Sequence, residues 1–210
     1  TGTPGYYNTK AFDIEAEKAG LYSKSINGDA FSDELKDDVI DSIRKGPGKV
    51  DLIIYSLASG VRKDPSDGVL YRSALKPIGC DYKSRALDPM SGRIISMEIE
   101  PASDDEISST VKVMGGEDWK IWINRLLDAG MLAQGVKTTA FSYIGPEVTW
   151  PIYRNGTIGE AKKDLEAAGD ELNILLEKKL GGSAFTSVKK AKKKIKASVK
   201  TSNTLNITIN

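Results

Sequence analysis

The run Val50-Asp-Leu-Ile-Ile-Tyr-Ser-Leu57 is nearly continuous in apolar, β-branched and aromatic residues. A run of this kind suits a parallel strand buried on both faces of a sheet. Upstream, Lys10 to Ala19 reads as a helix stopped at Gly20, and Leu21 to Ile26 as a short strand stopped by Asn27-Gly28-Asp29. Ser32 then reads as an N-cap. Asp33 and Glu34 fall in the first turn, and Leu35, Val39, Ile40 and Ile43 share one face. Residues 10–60 therefore alternate helix, strand, helix, strand. That order argues for a Rossmann-like, doubly wound parallel α/β sheet.

The rest of the chain is punctuated clearly. Thr1 to Asn8 reads as a loop, and Gly60 to Met97 as an inserted small hairpin, with Arg93 to Glu100 alternating like a half-exposed strand. Ser103-Asp-Asp-Glu106 is a capping box for a helix that ends at Gly115-Gly116. Trp119, Trp122, Ile123, Leu126 and Leu127 form an amphipathic stripe and read as core rather than as a ligand platform. Thr138, Thr139, Phe141, Tyr143 and Ile144 open a strand that breaks at Gly145-Pro146. A helix then starts near Asn155-Gly156-Thr157, presents Ala161, Leu165, Ala168 and Leu172 on one side, and stops at Gly181-Gly182.

Composition restricts the chemistry. There are 0 His and 1 Cys in 210 residues, which removes His-dependent triads, Cys-His pairs and ordinary zinc sites. No metal is expected, and any acid–base work falls to Tyr, Lys, Asp or Glu. Cys80 reads as a structural or incidental thiol and suits a reducing, cytoplasmic setting. No run approaches the roughly 20 apolar residues that span a bilayer. The length fits one domain, with a monomer expected. The net charge of +1 is unevenly spread, because seven lysines and no acid follow Val188. Residues 1–188 form the expected domain, and 189–210 a Lys/Asn-rich tail expected to be solvated and disordered. The competing reading of that tail is an anion- or nucleic-acid-binding module.

Within the stretch after Phe141, Tyr153 and Lys162 carry the most chemistry. Nine positions along one helix, at about 100° each, would place them on opposite faces. They can cooperate only if Tyr153 lies outside the helix, and Pro151 before it and Asn155-Gly156 after it support a turn. A nearby ammonium would lower the tyrosine from its usual value near 10 toward working pH. Residue types alone favour the plainer alternative, an amphipathic tyrosine at a corner beside a solvated lysine.

The Tyr-x8-Lys spacing resembles that of the trans-2-enoyl-CoA reductases and the NADH-dependent enoyl-acyl-carrier-protein reductases. So do Leu21–Ser32, Val50–Leu52, Tyr55–Ser59, Arg72–Gly79, Ile99–Ser103, Val113–Gly116, Phe141–Gly145 and Thr149–Tyr153, in that order. The resemblance implies hydride transfer from NADH to the β-carbon of a trans-2-enoyl thioester, carried by CoA or acyl-carrier protein, in fatty acid synthesis. Tyr153 would be the proton donor and enolate stabiliser, Tyr143 the substrate contact and Lys162 the cofactor anchor. Asp29 and Ala30 would meet the adenine side, and Leu57 and Ala58 would lie at the end of a sheet strand. By itself Asp29 is equally well read as a turn-forming residue after Gly28. No Gly-x-Gly-x-x-Gly occurs in the sequence. The family's phosphate loop is therefore expected upstream of Thr1, the chain being an internal fragment, and the resemblance is expected to end near Val188. A shifted reading frame would account for the Lys/Asn-rich end, and an uninterrupted frame on resequencing would exclude it.

Overall fold

The computed structural model describes residues 3–57 and 59–190. In chain order, α1 (Pro4–Lys18) and α2 (Asp33–Lys45) precede β1 (Val50–Tyr55). Two antiparallel hairpins follow, β2 (Val61–Lys63) with β3 (Leu70–Arg72) and β4 (Tyr82–Leu87) with β5 (Ile94–Ile99). Then come α3 (Asp104–Met114), α4 (Glu117–Asp128), β6 (Leu132–Ile144), α5 (Thr157–Leu180) and β7 (Ser183–Lys190).

The centre is a parallel sheet in the order β1-β6-β7. Ile53 lies opposite Thr138 and Tyr55 opposite Ala140, while Thr138 lies opposite Ala184. Parallel neighbours need crossovers, and here α3 and α4 lie in the first and α5 in the second. The apolar stripes predicted for α2, α4 and α5 merge into one core. Val39 and Ile43 meet Trp119, Ile123 and Leu126, together with Val136, Ala140, Leu172 and Leu176. Trp119 is fully buried and its indole N–H donates to Thr138 Oγ1 at 3.0 Å, so the core tryptophan has its polar group satisfied.

The capping box is formed on both sides: Ser103 Oγ accepts from Glu106 N, and the Glu106 carboxylate accepts from Ser103 N. The Gly115-Gly116 pair that follows α3 is there for space. A Cβ on Gly116 would come within 2.1 Å of the Ala168 Cβ, because the α3–α4 junction presses directly onto α5. Gly181 is different: it closes α5 at φ 61°, a left-handed conformation that glycine adopts without steric cost.

Four expectations are corrected. The first residues are not a loop through Asn8, because Thr3 accepts from Tyr6 N at 3.3 Å and Pro4 starts α1. Leu21 to Ile26 form no strand, since no described strand ladders with them. Leu21 and Tyr22 stay exposed, and Ser23 donates to Asp13 instead. β1 is not buried on both faces: Leu52 is 42% and Ile54 50% exposed. Beyond Gly182 the chain makes β7, whose backbone runs through Lys190 and so crosses the expected boundary at Val188. The remainder of the lysine-rich tail lies outside the described residues. Among the described residues, no helix is long and apolar enough to cross a membrane.

Candidate active site

A cavity of about 280 Å³ opens where β1 and β6 end, the place where open α/β sheets hold their ligands. Tyr143, Tyr153, Lys162 and Leu57 line it, so the structure brings together four of the residues selected from sequence. Each arrives by a local rule. Tyr143 stands near the end of β6. After it, Pro146 leads into a 3-10 turn at Glu147–Thr149. Tyr153 follows on a turn fixed by its own N–H donating to Thr149 O at 2.9 Å. Asn155 N caps the same turn through Trp150 O at 2.8 Å. Lys162 lies in the second turn of α5. Tyr153 is thus outside the helix, as the nine-residue spacing requires.

The start of α5 is anchored independently. Thr157 Oγ1 donates to Ala74 O, Thr157 N donates to Lys76 O at 3.1 Å, and Pro77 bridges to Gly156. Lys162 Nζ donates to Tyr143 O and, at 3.1 Å, to Ser142 Oγ. It sits over the Tyr153 ring, 5.1 Å from the centroid. Tyr143 meets Tyr153 edge to face at 6.2 Å. Met114, Ile158 and Leu165 complete an apolar wall.

The electrostatics correct one expectation. Burial, with a smaller contribution from Tyr143, pushes the Tyr153 phenol above its ordinary value, and the lysine does not pull it down. Lys162 itself is drawn below its ordinary value by burial, opposed by Glu166. The ammonium faces the ring rather than adding to the stability of a phenolate. Burial therefore keeps Tyr153 protonated at neutral pH, the state a proton donor needs.

Ser142, Val113 and Met114 were not singled out as site residues from sequence, although all line the cavity. Strand alternation was the available signal for Ser142. It points to the opposite side from Tyr143, toward α5. Asp29 and Ala30 do not line this cavity. They form a turn ahead of α2, where Asp29 Oδ1 accepts from Phe31 N at 3.0 Å, so the turn-forming role read for Asp29 is present. Ala58 lies outside the described residues; its neighbours Leu57 and Ser59 face the cavity.

A second polar group lies behind the wall. Tyr55, a cavity residue at the end of β1, donates to Asp118 Oδ2 at 3.1 Å. Asp118 also lies 3.0 Å from the fully buried Lys36. Burial pushes the Asp118 carboxyl up, and Lys36, Arg62 and Tyr55 only partly offset it. Beside this group, Asp64 is squeezed between Arg62 and Lys112. Burial raises its carboxyl, but the hydrogen bonds from Lys112 and Ser66 outweigh that and hold it well below the usual range.

The model for the trans-2-enoyl-CoA reductase catalytic region matches residues 1–201, further than the expected limit near Val188. An enoyl-[acyl-carrier-protein] reductase [NADH] of Saccharophagus degradans is 54% identical over 191 residues, which is 91% of this chain and 48% of the relative. One from Vibrio parahaemolyticus is 55% identical over 190 residues, 90% of this chain and 47% of the relative. Among solved structures, the trans-2-enoyl-CoA reductase of Treponema denticola in complex with NAD superposes with a TM-score of 0.83 at 50% identity. It is covered over 47% of its length by 90% of this chain. A Clostridium trans-2-enoyl-CoA reductase in complex with NADH gives 0.85 at 45% identity, with 90% and 48% covered. The chain thus spans about half the length of the relatives it matches. Given a family model that covers residues 1–201 and relatives more than half identical along nine-tenths of the chain, this chain belongs to the trans-2-enoyl-CoA reductase family.

Proposed function

We propose that this chain carries the nicotinamide- and thioester-facing part of an NADH-dependent reductase acting on the carbon–carbon double bond of trans-2-enoyl thioesters, borne by CoA or acyl-carrier protein, in fatty acid synthesis. The observation that carries the reading is the convergence of Tyr143, Tyr153 and Lys162 on one cavity at the strand ends. Lys162 has three N–H donors and spends them on two acceptors, Ser142 and Tyr143, leaving one for a ribose hydroxyl. Met114, Ile158 and Leu165 suit the flat apolar face of a nicotinamide. The residues fit that end of the dinucleotide, while the sequence has no Gly-x-Gly-x-x-Gly to cradle its pyrophosphate.

Bound NADH would supply the hydride for the substrate's β-carbon. The chain's own work is to place the thioester oxygen within reach of the Tyr153 hydroxyl, with Tyr143 as the neighbouring contact. As the α-carbon gains electron density, that oxygen becomes an enolate. The protonated phenol donates to it or passes it the proton. The apolar wall limits water, which strengthens the hydrogen bond. Lys162, held by Ser142, orients the cofactor and stays out of proton transfer.

The test is NADH oxidation with crotonyl-CoA, in a polypeptide of the relatives' full length carrying residues 1–190 of this chain. Tyr153→Phe should lower kcat by about 100-fold or more. Because Tyr153 is raised, its alkaline limb should appear only above the ordinary phenol range near 10. KM for NADH should rise earlier, as the lowered Lys162 loses its charge. Equal activity of the Phe variant, or preference for acetoacetyl-CoA as acceptor, would defeat the reading.

A further inference from the structure

Lys36 is an anomaly in α2. It stands three residues before Val39, four before Ile40 and seven before Ile43, which puts an ammonium on the helix's apolar face. It is 0% exposed. A buried ammonium is costly unless it is paired and hydrogen-bonded, and an apolar side chain there would serve the core as well or better. The hydrogen bonds show what it does instead. Its Nζ donates to Phe31 O at 2.7 Å and to Ala30 O at 3.1 Å, two consecutive carbonyls of the turn that begins at Asp29. Ala30 O also accepts the Trp122 indole N–H at 3.2 Å, and Lys36 lies over that ring at 5.2 Å. The third partner is Asp118, whose other oxygen accepts from Tyr55.

The result is a buried chain of contacts from the end of β1 to the Asp29–Phe31 turn. Tyr55 and Leu57 line the cavity at one end. At the other, Ala30 and Phe31 have their carbonyls pulled inward. Asp29 is exposed and uses one carboxylate oxygen to hold the turn; among the described residues its other oxygen has no hydrogen-bond partner. We infer that Lys36 and Asp118 are positioning residues for the cofactor: they fix the Asp29–Ala30 turn relative to the end of β1, and so set the reach between the adenine-side and strand-end contacts. This rests on the proposed function and on the adenine-side contact that the family resemblance implies for Asp29 and Ala30, since it needs a dinucleotide that uses both places.

The test uses the same full-length polypeptide. The variant is Lys36→Met combined with Asp118→Asn. It removes both charges together, so no buried charge is left unpaired, and Asn can still accept from Tyr55. The thermal midpoint should stay within a few degrees of the parent. Calorimetric binding of ADP-ribose should weaken by about 10-fold, as expected when charge-assisted hydrogen bonds to the turn are lost. KM for NADH should rise in parallel, with kcat and KM for crotonyl-CoA within twofold. Lys36→Arg alone should recover part of the ADP-ribose affinity. A double variant with a reduced midpoint and unchanged ADP-ribose binding would overturn the inference, leaving Lys36 a purely structural group. A parent that fails to oxidise NADH with crotonyl-CoA overturns the functional reading, and with it this one; the two failures are seen in different samples.

Discussion

The two faces of the sheet are made by the same strands and treated in opposite ways. On one face, Thr138, Ala140, Ser142 and Ala184 are buried under α4 and α5. On the other, Leu52, Ile54 and Phe185 are 42%, 50% and 53% exposed. While Tyr55 of β1 stacks on Trp119 on the same side, at these four positions of β6 and β7 the covered face carries small side chains because α5 approaches closely. Gly169 illustrates this: a Cβ there would lie 3.0 Å from Thr186 Oγ1 and 3.4 Å from the Trp119 ring. The open face carries the larger apolar groups, and the described residues supply no helix to cover it. An exposed apolar sheet face of this kind is where further protein can pack. The residues lining the cavity follow the same division. Ser142 turns to the covered side and grips Lys162, whereas Tyr143 is 41% exposed on the other.

The largest test of that contrast is Trp119→Ala. It removes a fully buried ring and strands the Thr138 hydroxyl, so chemical denaturation should show a loss of about 3–5 kcal/mol. A loss under 1 kcal/mol would mean the covered face is not the core. At the small end, Leu52→Ser with Ile54→Ser should change the stability of the 210-residue chain by no more than about 0.5 kcal/mol and reduce any self-association seen by sedimentation. The same pair in a polypeptide of the relatives' full length should cost several times more if further chain packs on this face. Equal small effects in both would show that the face stays open.

Patterns carried by neighbours in the chain were legible beforehand. The capping box at Ser103 is a four-residue motif, the stripe through Trp119 and Leu126 a period of 3.6, the strand at Val50 a continuous apolar run, and the position of Tyr153 outside the helix a matter of nearby Pro and Gly; all are local. What escaped depends on partners distant in sequence. Leu21–Ile26 has strand-forming residues, but a strand exists only with a ladder beside it. β7 was hidden because its last residues are lysines, and its pairing with β6 is a property of the backbone. The direction of the Tyr153 shift needed its burial in the folded cavity beside Tyr143, which spacing alone does not supply. Lys36 was not singled out from the sequence; a charge on an apolar stripe was the signal available, but its partners at Ala30, Phe31 and Asp118 are distant or need the folded turn.

The strand order also sets a timetable for folding. β6 and β7 are joined through α5 alone, whereas β1 must find β6 across both hairpins, α3 and α4. Closing the longer loop costs more chain entropy, and contacts distant in sequence form late. The β6-α5-β7 unit, which carries Tyr143, Tyr153 and Lys162, should therefore form before β1 docks. Pulsed hydrogen exchange would show amides of β6 protected against β7 while those of β1 still exchange; simultaneous protection would contradict it. The corner that holds Tyr143, Tyr153 and Lys162 would then be assembled first, and the Tyr55–Asp118–Lys36 link to the Asp29–Phe31 turn would close last.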